Sequence, residues 1–271
     1  MHPNEMKRLI WLTDIHFDFL LPQEIEEFAS AVVTAKSDAI LITGDIATSG
    51  NLCSILPAFA SQVNAPIYFV LGNHDCYGGS ISGTRESVRA LVANSTKLYW
   101  LSGGLIVPLT RNACLIGHDG WADGRIAPGR NSGVMLNDYL LIKEFSGLSQ
   151  QTRFDVMNKL GDESAAYFRE VLPRACQHYQ TVLLLTHVPP FKEACWYKGR
   201  TPDSDYVPHF TCQAVGDVLR QVMAEFPQCQ LTVLCGHTHN AGVAQISPNL
   251  LVKTGGAEYG LPRIQEVLTL P

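Results

Sequence analysis

An α/β fold is what this sequence predicts, on two observations: short apolar runs recur at 9–13, 39–43 and 67–71, and helix-like segments lie between them. That alternation is the βαβ rhythm. The runs carry no polar alternation, the pattern of strands covered on both faces. Pro22 opens the first helix at its N1 position, where a missing N–H costs nothing. From 98 to 117 come short β-like pieces punctuated by Gly103, Gly104 and Pro108, then a Gly- and Asn-rich loop over 119–137. Loops of that length are usually functional or mobile. Residues 149–179 read as two helices, because Gly161 interrupts the pattern and Pro173 is ill-suited to a helix interior. A buried strand over 181–186, a polar loop over 188–210, a helix over 211–226 and a strand over 231–235 follow. β-like segments near 243–246, 250–254 and 264–268 come last. With no internal repeat, low-complexity tract or linker, residues 1–271 are read as one domain.

Composition narrows the function classes. Hydrophobic residues are 46% of the 271 and charged residues 17%, which is ample for a packed interior. A net charge of −5 argues against a nucleic-acid polymer as partner, which needs a basic surface. It leaves room for a small phosphorylated substrate, because metal ions in a site carry their own positive charge. The apolar stretch 9–12 is far shorter than a secretory h-region and runs into Asp14, and no stretch reaches membrane-spanning length. Cytoplasmic residence is the expectation. The eight cysteines (Cys53, Cys76, Cys114, Cys176, Cys195, Cys212, Cys229 and Cys235) include no C-x-x-C pair and read as reduced thiols.

The chemistry lies at the strand ends. Asp14 and His16 follow the first apolar run, Asp45 the second, and Asn73 and His74 the third. His187 follows 181–186, and His237 and His239 follow 231–235. Strand ends are where open α/β sheets hold ligands. Asp14-Ile15-His16 and His237-Thr238-His239 share an i, i+2 spacing, which in extended backbone sends both side chains to one side. Singly, each residue has a plainer reading: a turn carboxylate, a helix N-cap, a turn amide or a partly buried histidine. Jointly, five strand ends each offer an oxygen or an imidazole in an apolar neighbourhood.

These blocks resemble the calcineurin-like metallophosphoesterase family: Asp14-Ile15-His16, Gly44-Asp45, Gly72-Asn73-His74-Asp75, His187 and Gly236-His237-Thr238-His239, in the family's order from 14 to 239. The resemblance implies a four-layer α/β/β/α sandwich with two mixed sheets. It also implies two metal ions, one held by Asp14, His16 and His239, the other by Asn73, His187 and His237, with Asp45 bridging. Iron, manganese or zinc suits His/Asp/Asn ligation without cysteine. Val188, beside His187, departs from relatives that carry a second histidine or another residue there.

Two ions about 3.5–4 Å apart polarise a phosphoryl group and generate a hydroxide nucleophile near neutral pH. His74 is the candidate to assist the leaving group, worth roughly 10²–10⁴-fold, with Asp75 orienting it. Read in extended backbone, it points away from Asn73 towards substrate. Substrate choice falls to the loops 119–137 and 188–210, where Arg125, Arg130, Trp196, Tyr197, Lys198, Arg200 and His209 are available. The expected activity is phosphoester hydrolysis, with a phosphodiester, including nucleotides and cyclic nucleotides, ahead of a monoester. The alternatives are a phosphomonoesterase acting on a small phosphorylated metabolite or phosphoprotein, and a non-catalytic metal-binding scaffold on the same fold.

Overall fold

The computed structural model describes residues 5–126 and 129–270. In the first half, β1 (Arg8–Leu12), α1 (Pro22–Thr34), β2 (Ala39–Thr43), α2 (Leu52–Gln62), β3 (Ile67–Val70), α3 (Ile81–Ala93) and β4 (Leu98–Trp100) alternate. The second half runs β5 (Val107–Pro108), β6 (Ala113–Gly117), α4 (Asp138–Leu141), α5 (Gln150–His178), β7 (Thr181–Leu185), α6 (Gln213–Glu225), β8 (Gln230–Cys235), β9 (Gly242–Ser247), β10 (Leu250–Thr254) and β11 (Glu266–Thr269). One sheet has the order β11-β1-β2-β3-β4, parallel except for β11. The other has the order β5-β6-β7-β8-β10-β9, with β5 and β9 antiparallel at its edges.

Strand periodicity builds the layers. Ile10, Leu12, Ile40, Ile42 and Phe69 face outward onto Ile25, Phe28, Phe59 and Val88 of α1–α3. Their neighbours Leu9, Trp11, Leu41 and Val70 face inward and meet Leu115, Leu183, Leu185 and Leu234 of the second sheet. The outer face of that sheet, with Ile116, Val182, Leu184 and Val233, packs on Phe154, Phe168 and Leu172 of α5 and Leu219 of α6. Helix, sheet, sheet and helix stack in four layers, and each fully buried aliphatic or aromatic side chain contributes about 1.5–3 kcal/mol.

Pro22 stands at N1 of α1, and the Leu21 N–H donates to Glu24 Oε2 at 2.7 Å. The expectation of two helices over 149–179 is corrected: α5 is one helix of 29 residues. Gly161 serves packing, since a Cβ there would stand 2.4 Å from Asp123 Cβ. Pro173 forfeits its own N–H bond, but the flanking Phe168, Val171, Leu172 and Ala175 are buried, and that apolar face carries the helix through. All eight cysteines are free thiols, and only Cys53 is exposed. Among the described residues no helix is long and apolar enough to cross a membrane.

Candidate metal centre

The ends of β1, β2, β3, β7 and β8 meet at one edge of the two sheets. Asp14 N donates to Gly44 O at 3.1 Å, Gly236 N to His187 O at 2.9 Å and His237 N to Asp14 Oδ1 at 3.0 Å. Asp14, His16, Asp45, His237 and His239 all have left-handed backbone, with φ of 47°, 42°, 52°, 70° and 56°. The extended-backbone reading of the two i, i+2 pairs is therefore corrected. β1, β2 and β8 break into left-handed turns where their ligand-type residues stand, a conformation costing about 1–3 kcal/mol per residue, whereas Asn73 after β3 is right-handed. Cross-loop bonds such as His16 N to Asp45 O at 3.0 Å hold these turns. Close approach also explains two glycines: a Cβ on Gly72 would lie 2.1 Å from Asp45 Oδ1, and one on Gly236 2.0 Å from Asp14 Oδ2.

Two sets of donor atoms result. In the first, His16 Nε2 lies 3.2 Å from His239 Nε2, His239 Nε2 3.5 Å from Asp14 Oδ1, and His16 Nε2 3.9 Å from Asp45 Oδ2. In the second, His187 Nε2 lies 3.0 Å from Asn73 Oδ1 and 3.4 Å from Asp45 Oδ2, and the His237 ring is 5.0 Å from the His187 ring. Asp45 Oδ2 belongs to both. Donors around one ion with bonds of about 2.1 Å stand roughly 3–4 Å apart, so the first set fits a single cation, as do the measured members of the second.

The outer nitrogens support the same fit. His187 Nδ1 donates to Thr43 O at 2.8 Å, and His237 Nε2 to His209 O at 3.3 Å. With these nitrogens donating, a bound metal would meet His187 Nε2 and His237 Nδ1. Burial lowers the His187 pKa, but the charge and hydrogen bond of Asp45 raise it to about 10. Asp14 and Asp45 are almost fully buried, and among the described residues no lysine or arginine pairs with either; their only ion-pair partners are imidazoles. Buried carboxylates need a counter-charge, and a cation supplies it.

Burial works to raise the Asp45 carboxyl, but the charge and hydrogen bond of His187, with His16 and His74, hold it below the usual range. Burial likewise opposes ionisation of Asp14, and His239 and His187 outweigh it. Burial pushes His16 and His237 down to about 4, which leaves them neutral at pH 7, the form that binds metal.

A family model described as calcineurin-like phosphoesterase matches residues 7–241, most of the chain and every block named above. The chain belongs to the calcineurin-like phosphoesterases. They are metal-dependent phosphoric ester hydrolases. Two solved structures share its fold: the phosphopantetheinyl hydrolase of Mycobacterium tuberculosis and a dimetal phosphatase from Danio rerio. The first is 13% identical with a TM-score of 0.66, over 94% of this chain and 91% of that one. The second is 14% identical with a TM-score of 0.56, over 93% and 88%. A curated relative, geranylgeranylglyceryl phosphate synthase from Methanosphaera stadtmanae, is 34% identical over 86 residues, which is 30% of this chain and 32% of that protein. That match spans about a third of either chain.

Within this calcineurin-like phosphoesterase, several residues around the site carried no signal in the sequence. Asp138 accepts from Asn73 Nδ2 at 2.9 Å and from Tyr77 Oη at 2.6 Å, which turns Asn73 Oδ1 towards His187. Asp138→Ala is expected to free the Asn73 amide and weaken metal binding at that half of the centre by roughly 10–100-fold. Metal titration checks this, and unchanged affinity at both halves would contradict it. Asp75 is corrected from an orienter of His74 to a clamp. Its carboxylate accepts the N–H groups of Asp45, Ile46, Ala47 and Gly72 at 2.8–3.0 Å and locks the two ligand loops together.

His74 opens a short 3-10 turn, His74–Cys76, so that turn and not strand alternation sets its direction. Its Nε2 lies 2.9 Å from Asp18 Oδ2, a partner that the sequence did not reveal. Burial lowers the His74 pKa, but the Asp18 hydrogen bond and the charges of Asp45, Asp18 and Asp75 together hold it above the ordinary value.

A cavity of about 300 Å³ opens over the centre, lined by Asp45, Asn73, His74, His237, His239 and Tyr259 among others. The Tyr259 ring stands 4.5 Å from His16 and 4.6 Å from Phe19, walling one side. Three loop residues read as available to substrate are engaged elsewhere. Arg125 pairs with Asp162 at 2.7 Å and Arg130 with Asp155 at 2.6 Å, while His209 is buried and bonded to Ser132 Oγ at 2.8 Å and to Tyr139.

Proposed function

We propose that this chain hydrolyses phosphate esters, with phosphodiesters, nucleotides and cyclic nucleotides among them, ahead of monoesters. One metal is held by Asp14, His16 and His239, the other by Asn73, His187 and His237, and Asp45 is shared. The observation that carries this is the position of Asp45 Oδ2, 3.9 Å from His16 Nε2 on one side and 3.4 Å from His187 Nε2 on the other. Manganese or iron suits the oxygen and imidazole set, with zinc also compatible. When bound, two such ions polarise a phosphoryl oxygen and lower the pKa of water.

The chain's own residues do the rest. Asp14 and Asp45 balance part of the cation charge, and Asp75 and Asp138 keep the ligand loops from rearranging. Asp18 favours the protonated form of His74 beside the cavity, and His74 is assigned as the proton donor to the leaving oxygen. The diester preference draws support from the aromatic residues Tyr259 and Phe210, which line the cavity over the centre and offer apolar contact to an ester group. We read 1–271 as one catalytic domain, and its eight free thiols suit the reducing cytoplasm.

With added manganese the protein is expected to hydrolyse bis(p-nitrophenyl) phosphate, to lose that turnover on chelation and to regain it on reloading. Absence of turnover on both diester and monoester by the reloaded protein would favour a metal-binding scaffold instead.

A further inference from the structure

We propose that the cavity formed by the 188–210 loop beside the metal centre seats a planar, uncharged heteroaromatic ring of the substrate, of the nucleobase class. This rests on the phosphoesterase reading and goes beyond it by assigning the residues that choose the substrate. The cavity measures about 390 Å³, and its walls include Trp196, Tyr197, Tyr206 and Phe210. It shares Phe210 and Thr238 with the cavity over the metals, and the Phe210 ring lies 4.8 Å from the ring of His237. A ligand with its phosphate in the first cavity therefore extends its adjoining group into the second.

The lining decides what that group is. Tyr197 and Tyr206 are 46% and 48% exposed, an arrangement of aromatic surface that marks a binding site when it rims a cavity. Stacking of a base on an aromatic side chain is worth about 1–3 kcal/mol. The walls are also held in place. Trp196 lies against Gly242, where a Cβ would stand 2.3 Å from the indole Nε1. Asn240 accepts from Lys198 N at 3.0 Å and donates to Thr238 O at 2.8 Å, tying the loop to the His237-Thr238-His239 turn. Asp203 and Asn240 bring polar side chains to the lining, which disfavour a second phosphate there and suit the N–H edge of a base.

The test uses phosphonate analogues of AMP and of ribose 5-phosphate, which differ only by the base and are not hydrolysed. Calorimetry on the manganese-loaded protein is expected to show the AMP analogue binding roughly tenfold or more tightly. In Tyr206→Ala and Tyr197→Ala that preference should fall by roughly fivefold or more. Affinity for the ribose analogue should hold, as should the melting temperature, and Tyr206→Phe should restore the preference. Equal affinities in the parent protein, a preference that survives both alanine variants, or equal losses for both analogues would overturn the proposal. Failure of both analogues to bind the loaded protein would remove the phosphoesterase reading and this proposal with it, a result distinct from loss of base preference alone.

Discussion

His74→Ala is expected to keep both metals and to lose turnover by roughly 10²–10⁴-fold on alkyl phosphodiesters. The side chain contacts the Asp18 carboxylate and faces the cavity, while Asp45 Oδ1 receives only the His74 backbone N–H at 2.8 Å. Removing the imidazole leaves that backbone bond intact. An alkoxide needs a proton or a strong hydrogen bond as its bond to phosphorus breaks, whereas a nitrophenolate leaves with its charge delocalised. The loss should therefore be smaller on nitrophenyl esters. Asp18→Asn should show the same ordering to a lesser degree, because the imidazole remains but loses the charge that holds its proton. Comparing kcat/KM on the two ester types, with metal content measured alongside, checks this. Equal losses on both would mean that His74 positions the substrate, and loss of a metal would mean that it belongs to the ligand shell.

Asp45→Asn should remove the charge common to both halves of the centre and cost more than the roughly 100-fold typical of outer-shell changes. The fold should survive: an amide oxygen still accepts the His74 N–H, and the Asp45 N–H still donates to Asp75 Oδ2 at 3.0 Å. Arg130→Ala is the matched control. Its ion pair with Asp155 is largely exposed and contributes no more than about 1 kcal/mol to stability. Near-normal turnover by Asp45→Asn with two bound metals would rule the shared role out.

How far the sequence reaches can be judged residue by residue. The α/β alternation was legible because parallel strands buried on both faces read as apolar runs, and the strand ends then marked where ligand-type side chains fall, whereas the four layers came only with the family resemblance. The structure places Asp14, Asp45, Asn73 and the four histidines at positions 16, 187, 237 and 239 at one edge of the two sheets. The route was not legible, since the i, i+2 argument assumed extended backbone and the structure uses left-handed turns. Asp18 lies in a short 3-10 turn and Asp138 opens α4, and their roles appear only when distant segments fold together, 56 positions apart for Asp18 and His74 and 65 for Asn73 and Asp138. Gly161 misled for a related reason: propensity marks a glycine as a break, while the close approach of Asp123 that requires it is tertiary. Tyr206 and Tyr259 had no periodicity to announce them, and only the cavity they line gives them meaning.

The central claim is that seven side chains from five strand ends form one dinuclear centre around Asp45. Elemental analysis of active protein, loaded with manganese or iron and freed of excess metal, tests it most directly. Two ions per chain, falling towards one in His237→Ala with the fold retained, is the expected result; a reproducible ratio of one or none in fully active protein would contradict it.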